Sequence, residues 1–236
     1  MKNPVMSTTT LTAKTADFME PGRTQQPPVF DDAFFTRLMD LFRWRRDVRR
    51  FLPDPVAPAL IEELVAMATL APSVGNSQPW RFVSVESRER RQQVIDDFNA
   101  CNAEALNTYE GERAARYARL KLSGLKEAPV HLAVFCDMDT LAGDRLGRLT
   151  MPETLSYSVV AAIQIIWLAA RARGLGLGWV SILHPGVLKK TLDVPSDWQF
   201  IAYLCIGYPQ EEHEDPELVR QQWQARLKEP SQILRR

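Results

Sequence analysis

Excess charge of either sign is what this 236-residue chain lacks: 29 lysines and arginines offset 29 aspartates and glutamates. Nucleic acids and membrane surfaces reward net positive charge, so the balance argues against both as general partners. Cysteine is scarce as well. Cys101, Cys136 and Cys205 are odd in number and widely spaced, and two of them lie in the apolar runs AVFC and YLCIG, which predicts reduced core thiols in a cytoplasmic protein. No run reaches the roughly 18 to 20 apolar residues of a membrane span, and the N-terminus has no apolar signal core. Histidine is sparse too. His131, His184 and His213 lie far apart with no metal-ligand spacing, so structural histidines and no metal site are expected. A Walker loop is missing, and so is a Gly-x-Gly-x-x-Gly motif that opens a helix. The run Gly174-Leu-Gly-Leu-Gly178 instead follows a helix and leads into a strand, the reverse of the dinucleotide order. Two readings stay open for it: a helix stop with a tight turn, or a close backbone approach to a flat ligand.

What the chain does have is Arg45-Arg46-Asp47-Val48-Arg49-Arg50, four arginines and one acid in six residues. Guanidinium forks match phosphate oxygens, so the cluster is a candidate anion site; a solvated charged face is the alternative. Residues 1–29, rich in Thr and Pro without apolar period, read as a flexible leader, and 30–236 as a single domain. Apolar spacing predicts a helix from Phe30 to Trp44 that delivers the arginines at its C-terminal end, where its dipole favours cations. A second helix runs from Pro58 to Ala71. The polar loop 72–80 follows, then a strand from Arg81 to Val85. Residues 88–107 and 110–126 read as helices, the second charged and exposed as a lid; strands follow at 130–136, 179–182 and 200–206, and an arm at 208–236. The helix starting at Pro152-Glu153 is apolar over most of its circumference and must be buried centrally or against another subunit. Helices and strands mix without a βαβ repeat, which predicts an α+β fold.

Three segments, RRDVRRF, APSVGNSQPWRF and GLGWVSI, together resemble the flavin-binding framework of the nitroreductase family. The stretch Gly111 to Leu122 with Ala128-Pro129, the strand Trp179 to Ile182 and the tail Pro216…Trp223…Arg226-Leu227 resemble one branch of it, which fragments reduced FMN to 5,6-dimethylbenzimidazole. The similarity covers about residues 32 to 230. It implies a mostly antiparallel central sheet surrounded by helices, in an intertwined homodimer. By the same resemblance Arg45, Arg46 and Arg49 hold the FMN phosphate and ribityl chain, and Arg226 completes the clamp. Ser73, Gly75, Gln78 and Pro79 would come from the partner subunit onto the flavin ring, Leu122 would bind the cofactor, and the amides of Gly178 and Trp179 would lie near N5.

Two residues are implied to be catalytic. Asp47 stands where ordinary nitroreductases carry a small hydroxyl residue, and breaking the ribityl C1′ bond requires proton transfer beside the sugar. The expectation is a base or hydrogen-bond organiser first and a proton donor second; an ion pair with Arg45 or Arg49 is the structural alternative. Ser181 would steer oxygen chemistry near N5, or else cap a turn. The implied reaction takes reduced FMN from a separate NAD(P)H-dependent flavin reductase, consumes O2 and releases D-erythrose 4-phosphate with the base that serves as the lower ligand of cobalamin. The lid would close over the site. Two rivals remain: an NAD(P)H-dependent FMN reductase of nitroaromatics, quinones or enones, and a flavin-binding module without turnover.

Overall fold

The computed structural model describes residues 27–228 and 233–236. Most of the expected leader, residues 1–26, lies outside the described residues.

Helix α1 (Asp32–Trp44) starts where Asp31 Oδ1 accepts the Phe34 amide at 2.7 Å, an N-cap that offsets one orphan donor. It stops because Arg45 turns extended, which sends the arginine segment away along the sheet. Helix α2 (Pro58–Ala68) opens on proline. Strand β1 (Trp80–Ser84), helices α3 (Arg88–Leu106) and α4 (Gly111–Arg119), and strand β2 (Val130–Asp137) follow. Helix α5 (Thr154–Ala172), strand β3 (Gly176–Val180), helix α6 (Pro185–Leu192), strand β4 (Trp198–Gly207) and the short α7 (Glu217–Arg220) complete the order. The sheet runs β1-β2-β4-β3, and all three ladders are antiparallel. The α+β expectation holds.

The core divides across the sheet by the alternation of strand side chains. Leu132, Val134, Cys136, Leu204 and Ile206 face α2 and α5 on one side. On the other, Ala133, Phe135, Tyr203 and Cys205 face Val94 and Phe98 of α3 and Leu188 and Leu192 of α6. Both strand cysteines are fully buried, as their apolar runs predict. Helix α5 corrects one expectation: by length and composition alone it could cross a membrane. It lies instead on the sheet, with Leu155, Val159, Ala162, Ile163, Ile166 and Ala170 buried and Tyr157 and Val160 exposed.

Three elements differ from expectation by three residues or more at one end. Helix α4 ends at Arg119 and Leu120 leaves it extended, since charge on a segment says nothing of where it stops packing. Strand β3 begins at Gly176 rather than Trp179 and ends before Ser181. Helix α2 ends at Ala68, three residues early.

Inside the second core layer, the His131 Nδ1 contacts the Tyr203 hydroxyl at 3.0 Å. Burial, with Arg91 nearby, pushes the His131 pKa down from 6.5 to about 4. A histidine kept neutral in the fold stabilises it above the unfolded pKa, and that contribution is lost as pH falls from 6.5 through 4. The loss is expected to reach roughly 3 kcal/mol. Urea titrations across this range should show it, and His131→Gln should flatten the dependence; equal slopes would remove His131 as the linked group.

Candidate active site

Beyond α1, residues 47 and 48 run beside β3, and residues 50 to 52 beside 208–210. The Val48 amide donates to the Leu177 carbonyl at 3.0 Å, and Asp47 bridges Leu177 in parallel sense. The approach is close because Gly178 has no side chain: a Cβ there would stand 2.2 Å from the Val48 carbonyl oxygen. Of the two readings of the glycine run, Gly174 fits the helix stop, with φ of +74° after α5. Gly178 serves a close approach, by the chain's own backbone.

Asp47 is held at both oxygens. Its Oδ1 accepts the Trp179 amide at 2.9 Å and its Oδ2 accepts Arg49 Nε at 2.8 Å. The ion pair expected as the structural alternative is therefore present, with Arg49. It is joined by a backbone contact that an ion pair does not require. That contact gives the Trp179 amide a partner within the chain. The same Arg49 donates through Nη1 to the Lys121 carbonyl at 2.8 Å, which brings the segment holding Leu122 to the cluster.

Arg45 lies over the Trp167 ring, its Cζ 4.8 Å from the centroid, and Trp167 Nε1 donates to the Arg46 carbonyl at 3.2 Å. Arg46 Nε donates to the Glu214 carbonyl at 2.6 Å, so the C-terminal arm folds back onto the cluster. Burial pulls the Arg46 pKa down, and the neighbouring Arg45 and Arg226 pull it further; at Arg45 burial dominates and Asp47 opposes it. Guanidiniums keep their charge, so mutual repulsion is what an incoming anion relieves. Arg50 takes no part: it pairs with Glu211 at 3.1 Å and Glu217 at 2.9 Å.

The loop before β1 is built separately. Gly75, Asn76 and Gln78 all have positive φ, a concentration of backbone strain that packed surroundings must maintain. A Cβ at Gly75 would meet the Leu146 carbonyl oxygen at 2.8 Å. The Val74 amide donates to Ser158 Oγ on α5 at 3.0 Å, and the Gln78 amide to Ser73 Oγ at 3.1 Å. Pro79 is buried, and its carbonyl accepts the Asp137 amide at 2.8 Å. The loop holding Ser73, Gly75, Gln78 and Pro79 is thus tied to α5 through Val74 and to β2 through Pro79, not to Asp47. Ser181, past the end of β3, is exposed.

A model of the nitroreductase family matches residues 42–208. The chain belongs to the nitroreductase family. It is 58% identical over 203 residues to the 5,6-dimethylbenzimidazole synthase of Rhodospirillum rubrum, covering 86% of this chain and 96% of that protein. Identity to the protein of that name from Rhodobacter capsulatus is 48% over 198 residues, covering 84% and 96%. Among solved structures, oxidized iodotyrosine deiodinase bound to FMN and 3-iodo-L-tyrosine is similar with a TM-score of 0.63 and 25% identity, covering 84% of this chain and 97% of that one.

In this member of the nitroreductase family several site neighbours are not legible in the sequence. Trp167 was legible only as one more apolar residue of α5; its indole N–H, which needs a partner when half-buried, was the available signal. Tyr109, Tyr117 and Trp223 form an aromatic cluster joining α4 to the arm, with Arg113 Cζ 4.5 Å from the Trp223 centroid. Nothing in their spacing announces it. The histidine expectation divides: His131 is structural, whereas His184 Nδ1 lies 2.8 Å from Asp97 Oδ1 and 3.0 Å from Cys101 Sγ.

Proposed function

We propose that this chain is a 5,6-dimethylbenzimidazole synthase, which fragments reduced FMN with O2 to 5,6-dimethylbenzimidazole and D-erythrose 4-phosphate. The observation that carries this reading is Asp47, a carboxylate fixed at both oxygens beside a set of crowded guanidiniums. Plain hydride exchange on a bound flavin does not call for that acid. The two relatives of this name, which match nearly their whole length, support the same reading.

The residues fit FMN. Arg45 and Arg226 each repel Arg46, and the three would hold the dianionic phosphate through charge-assisted hydrogen bonds. Reduced flavin supplies the electrons for oxygen and is itself consumed. Asp47 would take or organise the proton beside ribityl C1′, Arg49 would keep that acid in place, and Ser181 would lie near the reacting edge of the ring. The segment from α4 through Leu122 would close the site against water.

A complete site requires a second copy. The loop 72–79 is anchored away from Asp47, and it would serve the partner's flavin in a homodimer. Two apolar surfaces favour such a dimer: α1 has no buried residue, with Phe34 and Phe35 exposed, and α5 leaves Tyr157 and Val160 bare. A separate NAD(P)H-dependent reductase would supply reduced FMN.

The deciding assay incubates the protein with FMN, an external reductase, NADH and air, with mass spectrometry of the products. Dimethylbenzimidazole in amounts matching the flavin lost is expected; full flavin return without it would leave a reductase or a binding module. Arg226 is exposed, so Arg226→Ala should weaken FMN by about 1 kcal/mol, roughly fivefold, with the fold intact. Unchanged affinity in a fluorescence titration takes Arg226 out of the clamp.

A further inference from the structure

Asp97 and Cys101 stand four residues apart on α3 and so share one helix face, and His184 precedes α6 opposite them. One ligand atom from each of the three lies within 4.8 Å of the others. His184 Nδ1 has two close neighbours, Asp97 Oδ1 at 2.8 Å and Cys101 Sγ at 3.0 Å, and its single hydrogen can serve only one of them. The other contact lacks a ring hydrogen. A cation at their centre satisfies all three at once.

We propose that Asp97 Oδ1, Cys101 Sγ and His184 Nδ1 form a site for a divalent transition metal, with Zn2+ the best match. The donor set selects it: thiolate and imidazole together favour zinc over magnesium or calcium. One carboxylate and one thiolate neutralise the dication. Tetrahedral zinc places such donors roughly 3.3 to 3.6 Å apart, so the cluster opens by about half an ångström to receive it. On binding, the thiol proton leaves to solvent, the neutral imidazole carries its one hydrogen at Nε2, and water takes the fourth position.

One further contact aims the donors. Asp97 Oδ2 accepts the His184 amide at 2.8 Å, which turns Oδ1 toward the centre. Glu104 Oε2 lies 3.7 Å from His184 Nε2, beyond hydrogen-bond reach, and sets a carboxylate charge on the side of the ring that keeps its hydrogen when Nδ1 binds metal. Asp97 is buried while the His184 side chain is 45% exposed, which leaves the ion a path in. His184 follows Ser181 by three residues, so the metal fastens the loop bearing that serine to α3.

The test uses the full chain, without a histidine tag and stripped by a chelator. Cobalt titration of the wild type should reach one equivalent with a sulfur-to-cobalt charge-transfer band, and Zn2+ should displace it. Cys136 and Cys205 are fully buried in the sheet and cannot give that band in folded protein. Cys101→Ser should remove the band and weaken Zn2+ at least tenfold in a chelator competition. A cobalt spectrum without the thiolate band, a band unchanged in the variant, or equal zinc affinities of the two proteins overturns the site.

Discussion

Asp47→Asn is expected to lower dimethylbenzimidazole formation by roughly 10² to 10⁴, the range a positioned acid or base contributes. Flavin affinity should stay within a few-fold. The amide keeps an oxygen for the Trp179 N–H, so the bond at 2.9 Å survives and the segment stays beside β3. Its other end presents N–H to Arg49, which loses an acceptor but retains the Lys121 carbonyl. Comparing product yield with the flavin dissociation constant separates the two roles. Equal losses of binding and turnover would make Asp47 part of the architecture and nothing more.

The second large effect is one of packing. Gly178→Ala puts a methyl group 2.2 Å from the Val48 carbonyl oxygen, a distance that no rotamer relieves because the clash is with backbone. Either β3 shifts on β4, where it pairs from Gly176↔Gly207 to Val180↔Tyr203, or the segment 46–49 lifts away. We expect a destabilisation of at least about 3 kcal/mol, seen as a lower urea midpoint. Residual folded protein should lose activity out of proportion, since lifting the segment takes Asp47 off the Trp179 amide. A variant of wild-type stability and activity would mean that the approach is looser than described.

The sequence made some of this legible, for reasons that can be stated. Helices α1 and α5 and strands β2 and β4 were readable because each carries a long, regular apolar pattern. Asp47 was readable from its neighbours, since an acid among arginines is chemically conspicuous. The start of β3 was not: Gly176 looks like a turn residue until Val48 is known to lie against it. Helix α6 escaped because its eight residues begin Pro-Gly and carry too few apolar repeats. The grouping of Asp97, Cys101 and His184 depends on two elements meeting in space, and 83 residues separate the thiol from the ring. Local pattern holds no information about such a meeting.

Arg49 offers two edges of one rigid plate: Nε to the acid and Nη1 to the chain just after α4. A planar group cannot move one edge and leave the other where it was. Any displacement of the 120–122 segment therefore tilts the guanidinium against Asp47 and changes the direction from which its Oδ2 is held. The placement of that segment and the aim of the acid become a single degree of freedom, with one side chain as its axle.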